Sequence, residues 1–163
     1  TAIMANQAMN YLATGNPPKR LGNAHPNLVP YAVFDCSDGW IIIATGNDGQ
    51  YRRLCAILGL PELAEAPEFR TNADRIANRS DLTARLSART RTFTKEALLA
   101  ACEADGVPAG PINDMSEVFA DPQIVARGMR FRPEGASIDG VASPIVIDRE
   151  RMVAPTGAPP LSA

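Results

Sequence analysis

Apolar residues recur at helical spacing over the first dozen positions of the chain. Met4, Ala8 and Leu12 fall on one face of a helix that we predict over residues 2–13. Residues 14–30 then contain six prolines and glycines, a density that excludes regular structure. We therefore expect a helix followed by an ordered loop or an interdomain linker.

A β-hairpin is predicted directly after this linker. Residues 31–34 and 40–44 are mostly β-branched, aromatic or small apolar, and Asp38-Gly39 between them supplies the positive φ angles of a tight turn. Residues 40–44 are apolar on both faces of the strand. We therefore expect this second strand to lie centrally in a small sheet.

Helical periodicity returns after the hairpin. Asp48 is the predicted N-cap of a helix with one apolar face, and residues 60–71 are predicted to be a short connection. Asn72 is the predicted cap of a long helix that runs to about Thr90. The side chains expected to face inward on these two helices are Tyr51, Leu54, Cys55 and Leu58, then Ile76, Leu82 and Leu86.

The pattern from Thr94 onward predicts three more helices and two strands. Thr94 caps a helix whose apolar stripe contains Leu98, Leu99 and Cys102, and residues 106–111 form a stiff turn. Two short helices follow, with a capping box at Asp114 and an Asp-Pro start at Asp121. The closing strands are predicted at residues 129–132 and 141–145. This order of elements predicts an α+β domain with a short, mostly antiparallel sheet.

Composition narrows the function. The chain has 163 residues, 45% hydrophobic and 21% charged, with a net charge of −2, which argues against nucleic acid as the main partner. No apolar run approaches the roughly 18 residues of a membrane span. Three widely spaced cysteines and a single histidine favour a reducing cytoplasm and indicate neither a disulfide framework nor a metal site. Both ends look cut, so we expect an excerpt of a longer protein.

Two polar loops are candidates for a binding site. Residues 20–27 collect the only histidine, two asparagines and a glycine between stiffening prolines, and could present amides and N–H groups to a carboxylate or thioester. Residues 45–50 lie where a strand ends and a helix begins, a position that offers unpaired N–H groups to anions. The residues alone equally permit a structural role, namely satisfaction of linker backbone and an ordinary helix cap. The sequence of residues 106–111 favours a turn with a structural role and no part in binding.

Six short motifs resemble, in the same order, those of the family III coenzyme A transferases (the CaiB/BaiF group). Each motif is weak by itself, whereas six in order are specific, and the resemblance runs over about residues 2–161. The motifs are residues 21–27 (LGNAHPN), 38–40 (DGW), 46–50 (GNDGQ), 69–72 (FRTN) with Arg75 and Asn78-Arg79, 106–111 (GVPAGP) and 121–123 (DPQ).

The resemblance implies a domain organisation. Residues 1–13 would be a helix of a Rossmann-like large domain that is otherwise missing here. Residues 14–30 would be a linker and active-site loop, residues 31–146 the small α+β domain, and residues 147–163 a return linker. In this family two subunits interlock, and we expect a cytoplasmic homodimer without nucleic-acid or membrane partners.

The resemblance also implies a reaction. Coenzyme A passes from an acyl-CoA to a carboxylic acid through an aspartyl nucleophile. That Asp is expected at or just before Thr1, so we expect no catalytic residue in this chain, no activity of the fragment alone, no bound cofactor and no metal. Acyl-CoA is a substrate. The substrate-binding residues carried over from the resemblance are Gly22, Asn23, His25, Asn47 and Asp48.

Two alternatives remain open at this point. The related α-methylacyl-CoA racemases carry a carboxylate that matches Asp48, although their catalytic His lies upstream and is not His25, so a racemase or a lyase-linked enzyme is possible. A non-catalytic acyl-CoA-binding or dimerisation module is the alternative from another class. In formyl-CoA transferase the loop that matches residues 22–27 is Gly-rich and closes over the site. The sequence NAHPN at residues 23–27 predicts a stiffer loop here.

Overall fold

The computed structural model describes residues 2–157 of the chain. The chain divides into two compact units, Thr1–Ile112 and Asn113–Ala163. Thr1, where the upstream nucleophile is expected to adjoin, and residues 158–163 of the predicted return linker lie outside the described residues. The predicted boundaries at residues 13, 30 and 146 remain predictions.

The first unit begins with the predicted helix. A 3₁₀ turn, Ala2–Met4, leads into α1, Ala5–Thr14, which ends at Gly15 in the left-handed conformation (φ 74°). No side chain described on this helix is buried, and Ile3 is 99% and Leu12 73% exposed. The apolar stripe that predicted α1 therefore has no cover within the described residues.

A three-stranded antiparallel sheet forms the base of the first unit. Its strands are β1, Tyr31–Cys36, β2, Gly39–Ala44, and β3, Ala109–Ile112, in the order β1-β2-β3. Residue pairs Phe34–Ile41 and Ala32–Ile43 lie opposite each other across the hairpin. The hairpin and the central position of β2 are confirmed. The predicted turn is wrong by one residue: the two turn residues are Ser37 and Asp38, and of the Asp38-Gly39 pair only Gly39, the first residue of β2, has a positive φ (149°).

Five α-helices and one 3₁₀ turn follow the hairpin within this unit and cover the sheet's inner face. They are α2, Asp48–Ile57, α3, Pro61–Glu65, a 3₁₀ turn Pro67–Phe69, α4, Asn72–Ala77, α5, Arg79–Thr90, and α6, Lys95–Ala104. Apolar side chains from the strands and helices bury one another in a continuous core. Its fully buried members include Phe34, Ile41, Ile43, Tyr51, Leu54, Leu58, Phe69, Leu82, Leu86 and Leu98.

Two predicted helix starts are wrong by one residue. Asn47, not Asp48, is the N-cap of α2, because Asn47 has extended backbone and its Oδ1 accepts a hydrogen bond from Gln50 N at 2.9 Å. Thr71, not Asn72, caps α4, in a capping box completed by Asp74. Asp48 and Asn72 are thereby free to bond elsewhere.

The long helix predicted over residues 72–90 is two helices. The backbone leaves helical geometry at Asn78 (φ −106°, ψ 24°), whose Nδ2 donates to Glu68 O and Asp74 O. The prediction that Ile76 faces inward is wrong: Ile76 is 37% exposed, whereas Arg75, which precedes Leu82 by the seven positions that bring two side chains to one helical face, is buried. Leu82 and Leu86 are buried as predicted.

Two segments predicted as irregular contain regular structure. Residues 60–71 include α3 and a 3₁₀ turn, each started by a proline at its first position. The predicted turn at residues 106–111 runs into β3, in which Pro111 lies opposite Ile41 at the sheet edge.

The second unit contains short elements. Helices α7, Met115–Ala120, and α8, Pro122–Ala126, begin at the predicted caps Asp114 and Asp121. Two-residue antiparallel pairs follow, and the predicted closing strands are shorter than expected. They are β4, Arg130–Phe131, with β5, Gly140–Val141, and β6, Val146–Ile147, with β7, Glu150–Arg151. The predicted α+β class with short antiparallel sheets is confirmed.

Candidate functional site

The loop at residues 20–30 runs along the free edge of β1. His25 N donates to Tyr31 O at 2.9 Å, and Val33 N donates to Asn23 Oδ1 at 3.0 Å. The rings of His25 and Tyr31 stack, with centroids 5.1 Å apart and planes 20° from parallel. Asn23 and His25 therefore satisfy groups that an edge strand would leave open.

The hydrogen bonds of His25 define the tautomer of its neutral imidazole. Its Nδ1 accepts a hydrogen bond from Asn27 N at 3.1 Å, which fixes the proton of the neutral ring on Nε2. Nε2 has no hydrogen-bond partner within residues 2–157, and neither has Nδ2 of Asn23. Both side chains can thus donate to an oxygen of a bound molecule.

Three further side chains hold the loop in place. Asn10 on α1 and Asn27 exchange two amide hydrogen bonds, each of 3.0 Å. Asn72 donates to Asn27 O at 2.8 Å and accepts from Val29 N at 3.1 Å. Arg79 donates to the Pro26 carbonyl at 2.8 Å. The loop is therefore tied at both α1 and the α4–α5 region.

Gly22 allows a left-handed backbone conformation, and no neighbouring atom requires the absence of its side chain. Its φ is 60°, in the left-handed region, yet a Cβ there would meet nothing within 4 Å. The open space beside Gly22 leaves room for another group at this point of the loop.

The second candidate loop, residues 45–50, is closed by side-chain caps. Asn47 caps α2, and Gln50 Oε1 accepts from Gly46 N at 2.6 Å. Thr45 is buried, and its hydroxyl donates to Pro30 O at 2.7 Å. Asn47 Nδ2 has no partner in the described part of the chain. The second loop therefore touches the end of the first.

Arg75 is the residue that joins both loops. Its side chain is 1% exposed; Nε donates to Val29 O at 2.7 Å and Nη2 to Asp48 Oδ1 at 2.7 Å. Nη1 donates to the carbonyls of Phe69 and Arg70 at 3.0 and 3.3 Å. Residue patterns did not predict this role, because only the family resemblance singled out Arg75. Residue spacing could place Arg75 on the helical face of Leu82 and Leu86, seven and eleven positions further on, but it does not identify the partners of Arg75.

The Arg75 guanidinium also stacks on an aromatic ring. Its central carbon lies 4.3 Å from the centroid of the Tyr51 ring. Burial raises the pKa of the Tyr51 hydroxyl well above its ordinary value, and burial also raises the pKa of the Cys55 thiol beside it. Both groups stay protonated near neutral pH, so Asp48 is the anion that balances Arg75 in this cluster.

The two loops can donate hydrogen bonds to the oxygen atoms of an anion. Asn23, His25 and Asn47 each carry a donor without a partner within residues 2–157, and Asp48 is 42% exposed beside Arg75. The three donors can orient carboxylates and stabilise an oxyanion, whereas the Asp48 carboxylate can only accept hydrogen bonds. No group of three or more His, Cys, Asp and Glu side chains in the described residues could hold a metal ion.

The third loop, at residues 106–111, takes no part in this cluster. Val107 is buried in the core, and Arg53 Nη2 donates to Gly106 O at 3.4 Å. Separately, no helix within residues 2–157 combines the length and apolarity that crossing a membrane requires.

Comparisons with known proteins agree on one family. The family model described as CoA-transferase family III matches residues 1–163. A succinate–glutarate CoA-transferase of Agrobacterium fabrum is 49% identical over 152 residues, which are 91% of this chain and 38% of that protein. A human succinyl-CoA:glutarate CoA-transferase is 38% identical over 143 residues, which are 88% of this chain and 33% of that protein.

A solved structure supports the same fold. The crystal structure of a CAIB/BAIF family protein from Brucella suis superposes with a TM-score of 0.83 at 49% identity. The match covers 98% of this chain and 42% of that one. The chain thus spans less than half the length of the relatives it matches.

Proposed function

The chain belongs to CoA-transferase family III, and on this premise we propose that the full-length protein transfers coenzyme A from succinyl-CoA to a dicarboxylic acid such as glutarate. The observation that carries the proposal is 49% identity over 152 residues to a protein named for succinate and glutarate. The activity is that of a longer protein, since the chain corresponds to 38% of that relative's length.

The proposed chemistry uses an Asp expected upstream, at or just before Thr1. Its carboxylate attacks the thioester carbonyl, which releases CoA thiolate and leaves a mixed anhydride. The thiolate attacks the aspartyl carbonyl, which releases succinate and forms an aspartyl-CoA thioester. The acceptor carboxylate then displaces thiolate to form a second anhydride. Attack of thiolate on the acyl carbonyl yields the new acyl-CoA and regenerates the Asp.

The described chain would line this site rather than perform the chemistry. We assign Gly22, Asn23, His25, Asn47 and Asp48 to substrate contact, as the resemblance implies. The support is chemical: His25 Nε2, Asn23 Nδ2 and Asn47 Nδ2 are donors without partners within residues 2–157. The hydrogen bonds from Asn10, Asn72 and Arg79 would hold the loop at the site as a stiff wall.

We also propose the setting of the full-length enzyme. It is a cytoplasmic, interlocked homodimer that uses acyl-CoA as substrate and needs no bound cofactor. Three buried cysteines without disulfides accord with a reducing compartment. The fragment alone, without the upstream Asp, would be inactive.

A transfer assay on the full-length protein tests the proposal. Succinyl-CoA and glutarate are incubated with enzyme, and the CoA esters are separated by chromatography. Glutaryl-CoA and succinate should appear in equal amounts, with little free CoA. Release of free CoA without glutaryl-CoA would show a thioesterase instead, and unchanged succinyl-CoA would refute the proposed substrates.

A further inference from the structure

Arg75 and Arg79, four positions apart, differ in whether a carboxylate balances their positive charge. Arg75 is balanced by Asp48 and makes hydrogen bonds from all three nitrogens. Arg79, the first residue of α5, is half-buried and donates once, from Nη2 to Pro26 O. Within residues 2–157 no carboxylate pairs with Arg79. Burial lowers the pKa of its guanidinium, which indicates a charge withdrawn from water without compensation.

Arg79 borders a groove beside the candidate site loop. The groove has a volume of about 420 Å³, within the range of small-molecule sites. One wall is α5, the other is the loop and the start of β1. The remaining lining residues are mostly apolar: Ala24, Val29, Pro30, Tyr31, Ala32 and Phe34 face Ser80, Thr83 and Ala84. Ala24 lies between Asn23 and His25, so the groove opens next to the proposed substrate contacts.

The ligand that fits this lining is an anion at the end of a short aliphatic chain. An unbalanced guanidinium in a partly desolvated position favours a carboxylate, which it can bind with two parallel hydrogen bonds. Ser80 and Thr83 offer hydroxyl groups nearby, and the N-terminus of α5 adds a favourable field. The apolar walls favour methylene groups and disfavour a second charge.

We propose that this groove binds the free carboxylate of the dicarboxylic acyl group, the one that does not react, with Arg79 as its recognition residue. The inference rests on the proposed transfer to dicarboxylic acids and adds the element that selects them. A monocarboxylic acid of the same length would leave the Arg79 charge without a carboxylate and further removed from water. Discrimination against it would then come from the cost of a desolvated, unbalanced charge.

The test compares two acceptors that differ only at the remote end. Glutarate carries a second carboxylate, whereas glutaramate carries a neutral amide of nearly the same shape. In the full-length enzyme, Arg79→Met should lower kcat/KM for glutarate about 10- to 100-fold, the loss of one charge-assisted interaction. The same variant should lower kcat/KM for glutaramate by a clearly smaller factor, the share due to the lost bond to Pro26, so that the ratio of glutarate to glutaramate falls. Arg85→Met, one to two turns along α5 and exposed, is the matched control and should alter neither value.

The outcomes separate recognition from structure. If the role of Arg79 is purely structural, through Pro26, Arg79→Met would lower kcat/KM for both acceptors by the same factor and leave the ratio of the two values unchanged. This result would overturn the inference. Equal use of glutarate and glutaramate by the wild-type enzyme would also overturn it. If Arg79→Met fails to fold, Arg79→Lys keeps the charge and should show a smaller shift of the same ratio. Absence of transfer to any acceptor in the wild type would instead refute the proposed function.

Discussion

The buried guanidinium of Arg75 and the half-exposed carboxylate of Asp48 are joined by a hydrogen bond of 2.7 Å across 27 positions of sequence. Their side chains are 1% and 42% exposed, so one partner is in the core and the other faces outward at the start of α2. The pair therefore couples the candidate site to the core. It also gives Asp48 a structural role beside its proposed contact with substrate.

Asp48→Ala should destabilise the full-length protein by about 1–3 kcal/mol, because Arg75 Nη2 would lose its acceptor in a buried position. Asp48→Asn keeps an oxygen acceptor and should cost clearly less. Urea unfolding of both variants measures the difference. Equal stability of Asp48→Ala and wild type would show that water or another group replaces the carboxylate.

The amide pair between Asn10 and Asn27 should matter for catalysis more than for folding. Asn27→Ala removes both 3.0 Å bonds but leaves the Asn27 carbonyl bound to Asn72. Because both amides are exposed, the unfolding free energy should fall by about 1 kcal/mol or less. The rate of CoA transfer should fall, since the loop is released from α1. Asn10→Ala is the matched variant and should give the same fall, whereas unequal effects would contradict a shared role.

His25 should contribute through its nitrogen rather than its ring. His25→Phe keeps a ring that can stack on Tyr31, loses the Nε2 donor, and also loses the Nδ1 acceptor of the exposed Asn27 N–H, which water can replace. Transfer should fall in both His25→Phe and His25→Ala, while thermal unfolding of His25→Phe stays close to wild type. Full activity of His25→Phe would assign His25 to loop packing alone.

The stability of the protein should fall in alkaline solution. Burial raises the pKa of the Cys102 thiol from its ordinary value of 9.0 to about 11. Between these values the unfolded chain loses the proton while the folded chain keeps it, so unfolding is favoured as the pH rises. Cys102→Ala should therefore show a shallower loss of unfolding free energy from pH 9 to 11. Parallel curves for variant and wild type would contradict this assignment.

Local signals predicted the parts of the fold that local chemistry determines. The polar residues Ser37 and Asp38 and the following Gly39 marked the hairpin turn to within one residue, and the capping box at Asp114 specified α7. The break at Asn78 was not predicted, because its amide bonds to the Glu68 carbonyl, a contact that only the folded chain creates. Strand β3 was missed because Gly110 and Pro111 disfavour strands, and only its edge position accommodates them.

The candidate site, too, was predictable from local sequence only in part. The two polar loops were predicted from composition, and the structure joins them through Thr45 and Pro30. The residue that connects them, Arg75, was apparent from sequence only through family resemblance, since its partner lies 27 positions away. The groove beside Arg79 could not be predicted, because its walls come from the linker, β1 and α5.

The most direct test of the central claim is isotope exchange. Full-length enzyme is incubated with succinyl-CoA and isotope-labelled succinate, without any other acceptor, and the succinyl-CoA is analysed by mass spectrometry. CoA transfer between carboxylic acids predicts that label enters succinyl-CoA at constant total thioester. Unlabelled succinyl-CoA, or its conversion to free CoA alone, would contradict the account.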